Sequence, residues 1–529
     1  MTEVPGGKRD TPSASKLDGW DVEDSGFWSG VGHRVAFRNL MISIPCLLLA
    51  FAVWLFWSII IVRMESLGFA FSTTELYTLP AIAGLVGATL RIPNSFMIAI
   101  AGGRNVIAVT TALLILPAVG VGIALQDPQT SYVTFAVLAM LSGIGGGAFA
   151  SSMSNISFFF PKRMQGLSLG LNAGLGNVGV SVMQVLLPAV MGIALFGALG
   201  GDGLRLPEAL GGDMVWIQNA GLVWVPILLV LTVLAFTMMD NLPMHDVGPA
   251  PVAIGKVLWL EGLGFLGGSV GVLLLLAVDL GLPDLVHVFL VLGITVCVTL
   301  ALMRYMTLRP VRENLVEQFA IFKEKHNWVM TWLYIMTFGS FIGFSAAFPK
   351  LIQDVFGTLP DGLPNPNAPN PLQYAWLGPL VGSLVRPVGG WVSDKWGGAR
   401  VTHWDTIVMI ASTLGVAYYV KAAGSAAAPE TYWWPFFGLF MLLFITTGIG
   451  NGSTFRMVPI IFKPDMAGPV LGWISAIAAY GAFLIPRIFG GQIQAGTPEY
   501  GLYGFAGYYV SCLFVNWWFY ARKNAEIKC

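Results

Sequence analysis

Residues Ala83–Ser95 read AGLVGATLRIPNS and place a permanently charged arginine, Arg91, inside an apolar segment. The apolar run from Leu76 to Ala101 is long enough to cross a bilayer, and Arg91 falls near its centre. An ionisable residue there is costly and therefore indicates a functional site. The sequence LVGATLR, which ends at Arg91, returns 295 residues later as LVGSLVR, which ends at Arg386. Two arginines in related segments predict two halves that face one central site.

The composition of the whole chain is typical of a helical membrane protein. Its 529 residues are 56% hydrophobic and only 11% charged, and the mean hydropathy is +0.73. Soluble proteins carry about 25% charged residues. Fourteen apolar runs predict membrane spans. These runs lie near residues 39–62, 75–101, 105–126, 131–160, 167–196, 215–239, 257–278, 284–303, 328–349, 374–393, 403–424, 432–462, 467–494 and 499–520.

A second repeat supports the division into halves. Phe160–Gly170 (FPKRMQGLSLG) and Phe462–Gly472 (FKPDMAGPVLG) share Phe, Met, Gly, Leu and Gly at an offset of 302 residues. Equivalent spans have the same orientation, so the repeat is parallel, about an axis along the membrane normal. The runs at 257–303 lie outside the repeat and predict a peripheral hairpin. We therefore expect an all-α membrane protein with two six-helix halves and two extra helices between them, fourteen spans in total.

Domain boundaries and topology follow from charge and turn residues. We expect a disordered cytoplasmic tail at 1–35, an N-terminal half at 36–240, and a C-terminal half at 328–521. A linker at 241–327 would hold the hairpin and an amphipathic helix at Arg309–Lys325, and a second tail would cover 522–529. One face of the predicted topology carries 20 of the 28 Lys and Arg residues and the other only four. The positive-inside rule then places both termini in the cytoplasm.

The predicted core spans offer the two arginines no carboxylate partner. The nearest acidic residues are Glu65 and Glu75 at outer span edges, Glu261 in the hairpin, and Asp405 near the cytoplasmic end of its span. Two buried guanidinium groups without counter-charge repel each other and are poorly solvated. A bound anion would relieve this cost, and the forked donors of arginine suit a planar oxyanion. Spans dense in small residues predict a narrow path for a small anion.

Other classes of function find little support in the sequence. No nucleophile–base set and no metal-ligand spacing is present in the spans, so we expect neither an enzyme nor a metal or other cofactor. The formal net charge is zero, so the overall charge balance says nothing about partners. We expect no nucleic-acid partner. The lipid bilayer and a small anion are the expected partners, and a monomer is the expected functional unit.

One loop is similar to a known family motif. Gly390–Arg400 reads GWVSDKWGGAR, which resembles the G-x-x-x-D-[RK]-x-G-[GR]-x-R loop of the major facilitator superfamily. The resemblance implies that Asp394, Lys395 and Arg400 hold contacts between helices in one transport state. The equivalent N-terminal loop has shrunk to GGRN at residues 102–105, which departs from the pattern.

Longer segments resemble the signature segments of nitrate/nitrite porters. They are Gly166–Pro188, Gly468–Pro486, Ala150–Pro161 (ASSMSNISFFFP), Trp332–Pro349 (WLYIMTFGSFIGFSAAFP) and Gly450–Phe455 (GNGSTF). The resemblance implies a nitrate/nitrite transporter of the bacterial inner membrane that serves nitrate metabolism, including assimilation. It implies two arginines that grip the anion, an asparagine and a tyrosine that hydrogen-bond it, and two phenylalanines that sandwich it. The matching residues here are Arg91, Arg386, Asn177, Tyr334, Phe149 and Phe338.

The mechanism expected from these residues is exchange of nitrate and nitrite by alternating access. The predicted core holds no buried carboxylate or histidine near the arginines, which favours an antiporter over proton coupling. A proton-coupled nitrate symporter stays open as an alternative, as does an exchanger of organophosphates or small carboxylates. An anion-sensing or structural membrane protein is the alternative from a different class.

Overall fold

The computed structural model describes Leu17 and residues 19–208, 211–242, 247–278, 280–307, 309, 312–313, 316 and 319–529. Its regular structure is nearly all helical, and twelve helical stretches of the described chain are long and apolar enough to cross a membrane. The prediction of an all-α membrane protein is therefore confirmed. Two more helices, Leu377–Trp396 and Pro498–Asn516, have 20 and 19 residues but are not among the twelve. The prediction of fourteen spans depends on these two helices.

The N-terminal bundle consists of ten helices, and a single residue interrupts four of its six long stretches. The ten are α1 (His33–Leu55), α2 (Trp57–Ser66), α3 (Thr73–Ala101), α4 (Gly103–Leu113), α5 (Ile115–Ala124), α6 (Tyr132–Ser142), α7 (Ile144–Phe159), α8 (Lys162–Met191), α9 (Asn219–Leu222) and α10 (Trp224–Met238). Helix α3, which carries Arg91, starts with a capping box in which Ser72 and Glu75 bond each other's backbone N–H.

The connection between α8 and α9 contains structure that the hydropathy pattern did not reveal. A 3₁₀ turn at Gly197–Gly200 precedes two short antiparallel strands, β1 (Leu204–Arg205) and β2 (Met214–Val215). Strands of two residues give no periodic signal, so only coordinates reveal them.

The predicted extra pair is helical and lies beside α3. It consists of α11 (Ala250–Ala277) and α12 (Asp284–Tyr305), and we call this pair the hairpin. Helix α11 packs against α3 and α12 packs against α11. Only 22% of the apolar window of α12 is buried within the protein, which fits a peripheral, lipid-facing helix.

The C-terminal bundle repeats the pattern of the N-terminal one. Its helices are α13 (Lys325–Tyr334), α14 (Ser340–Phe356), α15 (Pro371–Tyr374), α16 (Leu377–Trp396), α17 (Gly398–Gly424), α18 (Trp433–Ile461), α19 (Pro464–Ala479), α20 (Gly481–Gln494) and α21 (Pro498–Asn516). Helical turns at Ile335–Gly339, Pro429–Tyr432 and Trp517–Ala521 complete it. Gly102 (φ 77°) and Gly397 (φ 87°) each join two helices through a left-handed residue, and they too lie 295 residues apart.

The prediction of a disordered tail at 1–35 is wrong for the last part of that segment. Helical turns run from Ser25 into α1, and the indole N–H of Trp20 donates to the carbonyl of Phe158 at 3.1 Å. The Trp20 ring also packs edge-on against Phe159. Such a docking contact depends on the tertiary fold and has no local signal. Residues 1–16 and 18 lie outside the described residues, as do residues 310, 311, 314, 315, 317 and 318 of the predicted amphipathic helix at Arg309–Lys325, in which Phe319–Lys323 forms a 3₁₀ turn.

The two bundles meet at one end of the molecule and separate at the other. At the end where α3 begins, Lys350 Nζ lies 3.0 Å from Glu65 Oε2, and Gln184 Nε2 donates to the carbonyl of Ser345 at 3.1 Å. Each of these contacts joins one bundle to the other. At the opposite end a cavity of about 470 Å³ lies between α3, α7 and α19. We call the two ends the closed end and the open end.

Candidate functional site

Arg91 is fully buried in α3 and contacts both bundles. Its Nε donates to the carbonyl of Gly146 at 2.9 Å, and its Nη1 donates to the carbonyl of Ser475 at 3.1 Å. Gly146 belongs to α7 and Ser475 to α19, so this guanidinium bridges the halves. Its Cζ lies 4.6 Å from the ring centre of Phe149 and 4.9 Å from that of Phe338. Cation–π contacts therefore stabilise the charge where no carboxylate does.

The position of the Gly146 carbonyl depends on the absence of a side chain. A Cβ at Gly146 would lie 2.6 Å from the Trp54 ring and 2.8 Å from the Cα of Gly87. The Trp54 ring is itself 5.4 Å from Arg91 and is fixed by a 2.8 Å hydrogen bond from its indole N–H to the carbonyl of Ala83. Close packing of small residues therefore brings a backbone acceptor to the buried arginine.

Arg386 lies in α16 and contacts aromatic side chains. Its Nη2 donates to the hydroxyl of Tyr334 at 3.1 Å, and its Cζ is 5.3 Å from the ring centre of Phe455. The rings of Tyr334 and Phe338 are stacked, with centres 5.7 Å apart and planes at 8°. The backbone between them forms a π-helical turn at Ile335–Gly339. Such turns frequently occur at functional sites.

Each arginine keeps one terminal nitrogen without a partner. Arg91 Nη2 and Arg386 Nη1 are both buried, and no described residue accepts a hydrogen bond from either. Neither arginine forms an ion pair with a carboxylate in the described part of the chain. The stacked rings of Phe338 and Tyr334 connect the two guanidinium groups, because Phe338 contacts Arg91 and Tyr334 bonds Arg386. Unpaired donors of this kind cost about 1–3 kcal/mol each, and a bound anion would satisfy them.

The rings of Phe149 and Phe338 lie too close to hold an anion between their faces in this conformation. Their centres are 6.0 Å apart and their planes make 24°. A flat ligand between two ring faces needs about 7 Å, two van der Waals contacts of about 3.5 Å each. Both rings contact the guanidinium of Arg91 instead. The predicted sandwich therefore requires the rings to separate.

Asn177 is not hydrogen-bonded to the other predicted site residues within the described chain. It is buried in α8, and its Oδ1 has no partner among the described residues. Helix α8 packs against α16, the helix of Arg386.

The residues of the predicted loop motif lie at the end of α16 and the start of α17. Asp394 pairs with Arg456 of α18, so it joins two helices of the same bundle. The Nζ of Lys395 lies 3.8 Å from the ring centre of Trp391 on its own helix. Arg400 is exposed and has no ion pair in the described structure. None of these residues contacts the arginine site.

Sequence reasoning missed several groups around the arginines. The Phe455 ring lies 5.5 Å from that of Tyr334, and the carbonyl of Ser475 binds Arg91. The hydroxyls of Thr89 and Tyr480 lie 2.9 Å apart and link α3 to the C-terminal bundle. Phe455 ends the GNGSTF segment, so its place in that motif was an available signal.

A carboxylate is buried in a span of the C-terminal bundle. Asp405 in α17 is only 7% exposed, and its Oδ2 has no partner among the described residues. A Cβ on Gly450 would lie 2.8 Å from that oxygen and 2.6 Å from the Cγ2 of Thr337. Asp405 therefore lies behind the π-helical turn that carries Phe338. The expectation that the core spans hold no buried carboxylate is wrong at this residue.

The cavity at the open end leads to the arginine site. Its walls include Phe149, Phe455 and Ser475, which are neighbours of the two arginines. The other polar side chains that line it are the serines Ser95, Ser154 and Ser157, and no charged residue of the described chain does. A mostly apolar lining with a few polar side chains is typical of small-molecule sites.

Comparison with known proteins gives consistent matches over almost the whole chain. A model of the Major Facilitator Superfamily matches residues 42–486. The chain is 38% identical to the probable nitrate/nitrite antiporter NarK2 of Thermus thermophilus, over 96% of this chain and 97% of that protein. It is 35% identical to the nitrate/nitrite transporter NarU of Escherichia coli K12, over 97% of each.

Solved structures show the same architecture at low identity. The xylose transporter XylE from E. coli, in a partially occluded inward-open conformation, matches with a TM-score of 0.53 and 13% identity, over 92% of this chain and 97% of that one. A proton-dependent oligopeptide transporter matches with a TM-score of 0.56 and 14% identity, over 91% and 96%. The fold and the buried site thus define a multi-pass helical membrane transporter. The chain belongs to the nitrate/nitrite porter family of the Major Facilitator Superfamily. This membership also confirms the expectation that it is not an enzyme.

Proposed function

We propose that this protein transports nitrate and nitrite across the bacterial inner membrane, and that it exchanges one anion for the other. The observation that carries the proposal is the pair of buried, unpartnered nitrogens, Arg91 Nη2 and Arg386 Nη1. The names of the two relatives above, both of which include nitrate and nitrite, support the choice of anion.

In this proposal the two arginines hold the anion through charge-assisted hydrogen bonds. Tyr334, already bonded to Arg386, orients that guanidinium and adds a hydroxyl donor. Asn177 approaches when α8 moves with the N-terminal bundle. Phe149 and Phe338 separate and turn, because ring faces repel an anion and only the electropositive ring edges can flank it.

Exchange follows from the electrostatics of an empty site. Two guanidinium groups without counter-charge resist close approach, and a bound anion removes this repulsion. The bundles therefore pass between the two access states more readily with an anion bound than without one. Arg91 already bonds Ser475 of the other bundle, so the site lies where the halves meet.

We further propose the predicted arrangement for the whole chain. It has fourteen spans, with α16 and α21 added to the twelve apolar stretches, and both termini in the cytoplasm. The halves at 36–240 and 328–521 rock around the site, and the linker at 241–327 connects them. The open end then faces the cytoplasm, Asp394, Lys395 and Arg400 support that state, and a monomer suffices for transport.

Counterflow in proteoliposomes tests the exchange. Vesicles loaded with nitrite are expected to take up labelled nitrate without a pH gradient or a membrane potential, whereas vesicles without internal anion take up almost none. Uptake into empty vesicles that is driven by a pH gradient would contradict exchange. Nitrate that fails to compete with an organophosphate or carboxylate substrate would point to a different anion.

Proton-coupled symport is the second candidate, and the position of Asp405 favours it. The Oδ2 of Asp405 has no partner among the described residues, and this residue lies behind the turn that carries Phe338, so its side chain is the candidate proton carrier. If coupling passes through it, Asp405→Asn abolishes uptake driven by a pH gradient and leaves counterflow intact. If the protein is an exchanger, Asp405→Asn leaves nitrate/nitrite counterflow within about twofold of wild type, as for a substitution that removes no contact with substrate.

A further inference from the structure

The hairpin is attached to the N-terminal bundle along most of α11. Asn94 Nδ2, one turn beyond Arg91 on α3, donates to Glu261 Oε1 of α11 at 2.7 Å. Nearer the open end, Lys256 Nζ lies 3.3 Å from the carbonyl of Ile100. On the other side of the Asn94–Glu261 bond, away from Lys256, α11 approaches α3 so closely that a Cβ on Gly264 would lie 2.7 Å from the ring of Pro93. Buried polar and close apolar contacts together make the hairpin move with the N-terminal bundle.

One ion pair joins the hairpin to the other bundle. Asp284, the first residue of α12, places its Oδ1 2.5 Å from Nη2 of Arg487 in α20. A Cβ on Gly491, one turn further along α20, would lie 3.2 Å from the other carboxylate oxygen of Asp284. The Arg487 side chain is only 14% exposed, and its Nε has no partner in the described chain. Asp284 is therefore the acidic partner of a nearly buried cation.

This ion pair lies towards the closed end of the molecule. Helix α20 ends at Gln494, and the side chain of Gln494 bonds Thr74 at the start of α3. Opening this end moves α20 away from α3, and the hairpin stays with α3. Arg487 then loses its carboxylate and is left at the membrane without a counter-charge, which is costly.

We infer that Asp284 is a positioning residue that acts through Arg487: it holds the closed end shut and biases the protein towards the state that is open at the other end. The inference rests on the proposed alternating access, and it gives the hairpin a role in that cycle. A contact present in only one of two states shifts their balance by its differential stability.

Distance measurements by double electron–electron resonance test the shift without transport. Spin labels at Asp127→Cys and Ser425→Cys, in a background without the four native cysteines, report the separation of the two bundles at the closed end. We expect Asp284→Asn to raise the ratio of long to short distances about fivefold, the size of a modest coupling between two sites. The charge reversal Asp284→Arg with Arg487→Asp is expected to restore the wild-type ratio.

Transport from each side of oriented vesicles gives a second readout. If the ion pair is lost, a larger fraction of molecules adopts the state in which the closed end has opened. The apparent affinity for anion on each side scales with the fraction of molecules that is open to that side, so it rises for external anion and falls for internal anion. We therefore expect Asp284→Asn to lower the KM measured from the closed-end side and to raise the KM from the other side. A variant that is merely damaged loses rate on both sides without this opposite change.

The matched control is Glu313→Gln, which removes the exposed ion pair between Arg309 and Glu313 in the linker and is expected to change neither readout. An unchanged distance ratio in Asp284→Asn, with the protein folded, would overturn the inference even if wild-type exchange is normal. A shifted ratio in a protein that does not exchange nitrate and nitrite would support the role of Asp284 at the closed end and refute the proposed function. If the single variants do not fold, the double variant Asp284→Arg with Arg487→Asp is the test. A distance ratio in this variant that differs from the wild-type ratio also overturns the inference.

Discussion

At the scale of single residues, the sequence predicts which side chains matter better than how they are held. Arg91 and Arg386 stand out because a charge inside an apolar repeat is costly wherever the chain folds. The partners of Arg91 could not be predicted, because Gly146 and Ser475 act through backbone carbonyls on other helices. The 6.0 Å spacing of Phe149 and Phe338 likewise depends on how the two bundles meet.

Replacing Arg91 by lysine tests the forked geometry of this group. Lysine keeps the charge but cannot donate to Gly146, Ser475 and an anion from one planar group. Each lost hydrogen bond of a charged group is worth about 1.5–3 kcal/mol, so we expect kcat/KM for exchange to fall about 10–100-fold. The matched control is Arg309→Lys at an exposed ion pair, which is expected to keep wild-type exchange. Wild-type kinetics in Arg91→Lys would contradict a role for the forked donors of the guanidinium group.

At the scale of elements, hydropathy predicted the long helices, including both helices of the hairpin, because burial in lipid leaves a plain apolar signal. It did not predict the contacts of the hairpin, since Glu261 meets Asn94 and Asp284 meets Arg487 only after the helices pack. The π-helical turn at Ile335–Gly339 and the two strands are also set by local packing rather than by period.

The contact between α11 and α3 makes a prediction about stability. Asn94 Oδ1 and Glu261 Oε2 are both buried acceptors for which the described part of the chain offers no donor. Glu261→Gln supplies an N–H donor beside the Oδ1 of Asn94. We therefore expect the melting temperature of this variant to equal or exceed that of wild type. Asn94 Nδ2 donates both to the carbonyl of Leu90 and to Glu261, so Glu261→Leu leaves one of its two hydrogens unpaired. This variant is expected to cost about 1–3 kcal/mol, seen as a lower melting temperature in detergent. A lower melting temperature for Glu261→Gln than for Glu261→Leu would contradict this account.

At the scale of the whole molecule, contacts between the bundles concentrate at the closed end. Lys350 is fully buried there and bonds Asp354 of its own helix as well as Glu65 of the other bundle. The repeat in the sequence predicted two halves, but the state in which they rest depends on many contacts between them. No single segment of sequence carries that information.

Lys350 and Glu65 are buried to different extents, so their replacement is expected to cost different amounts of stability. Lys350→Met leaves the buried Asp354 without its cation and is expected to cost about 3–5 kcal/mol. Glu65 is 45% exposed, so Glu65→Gln is expected to cost no more than about 1 kcal/mol. Thermal unfolding of the purified variants measures both costs. Equal losses would show that burial of Lys350 does not determine the energetics of this end.

Equilibrium binding of nitrate to the purified protein tests the central claim most directly. The two unpartnered guanidinium nitrogens predict saturable binding by wild type and binding weakened about 10-fold or more in both Arg91→Lys and Arg386→Lys, each of which removes hydrogen bonds of a charged group. Nitrate bound with wild-type affinity by both folded variants would contradict the claim that these arginines hold the anion.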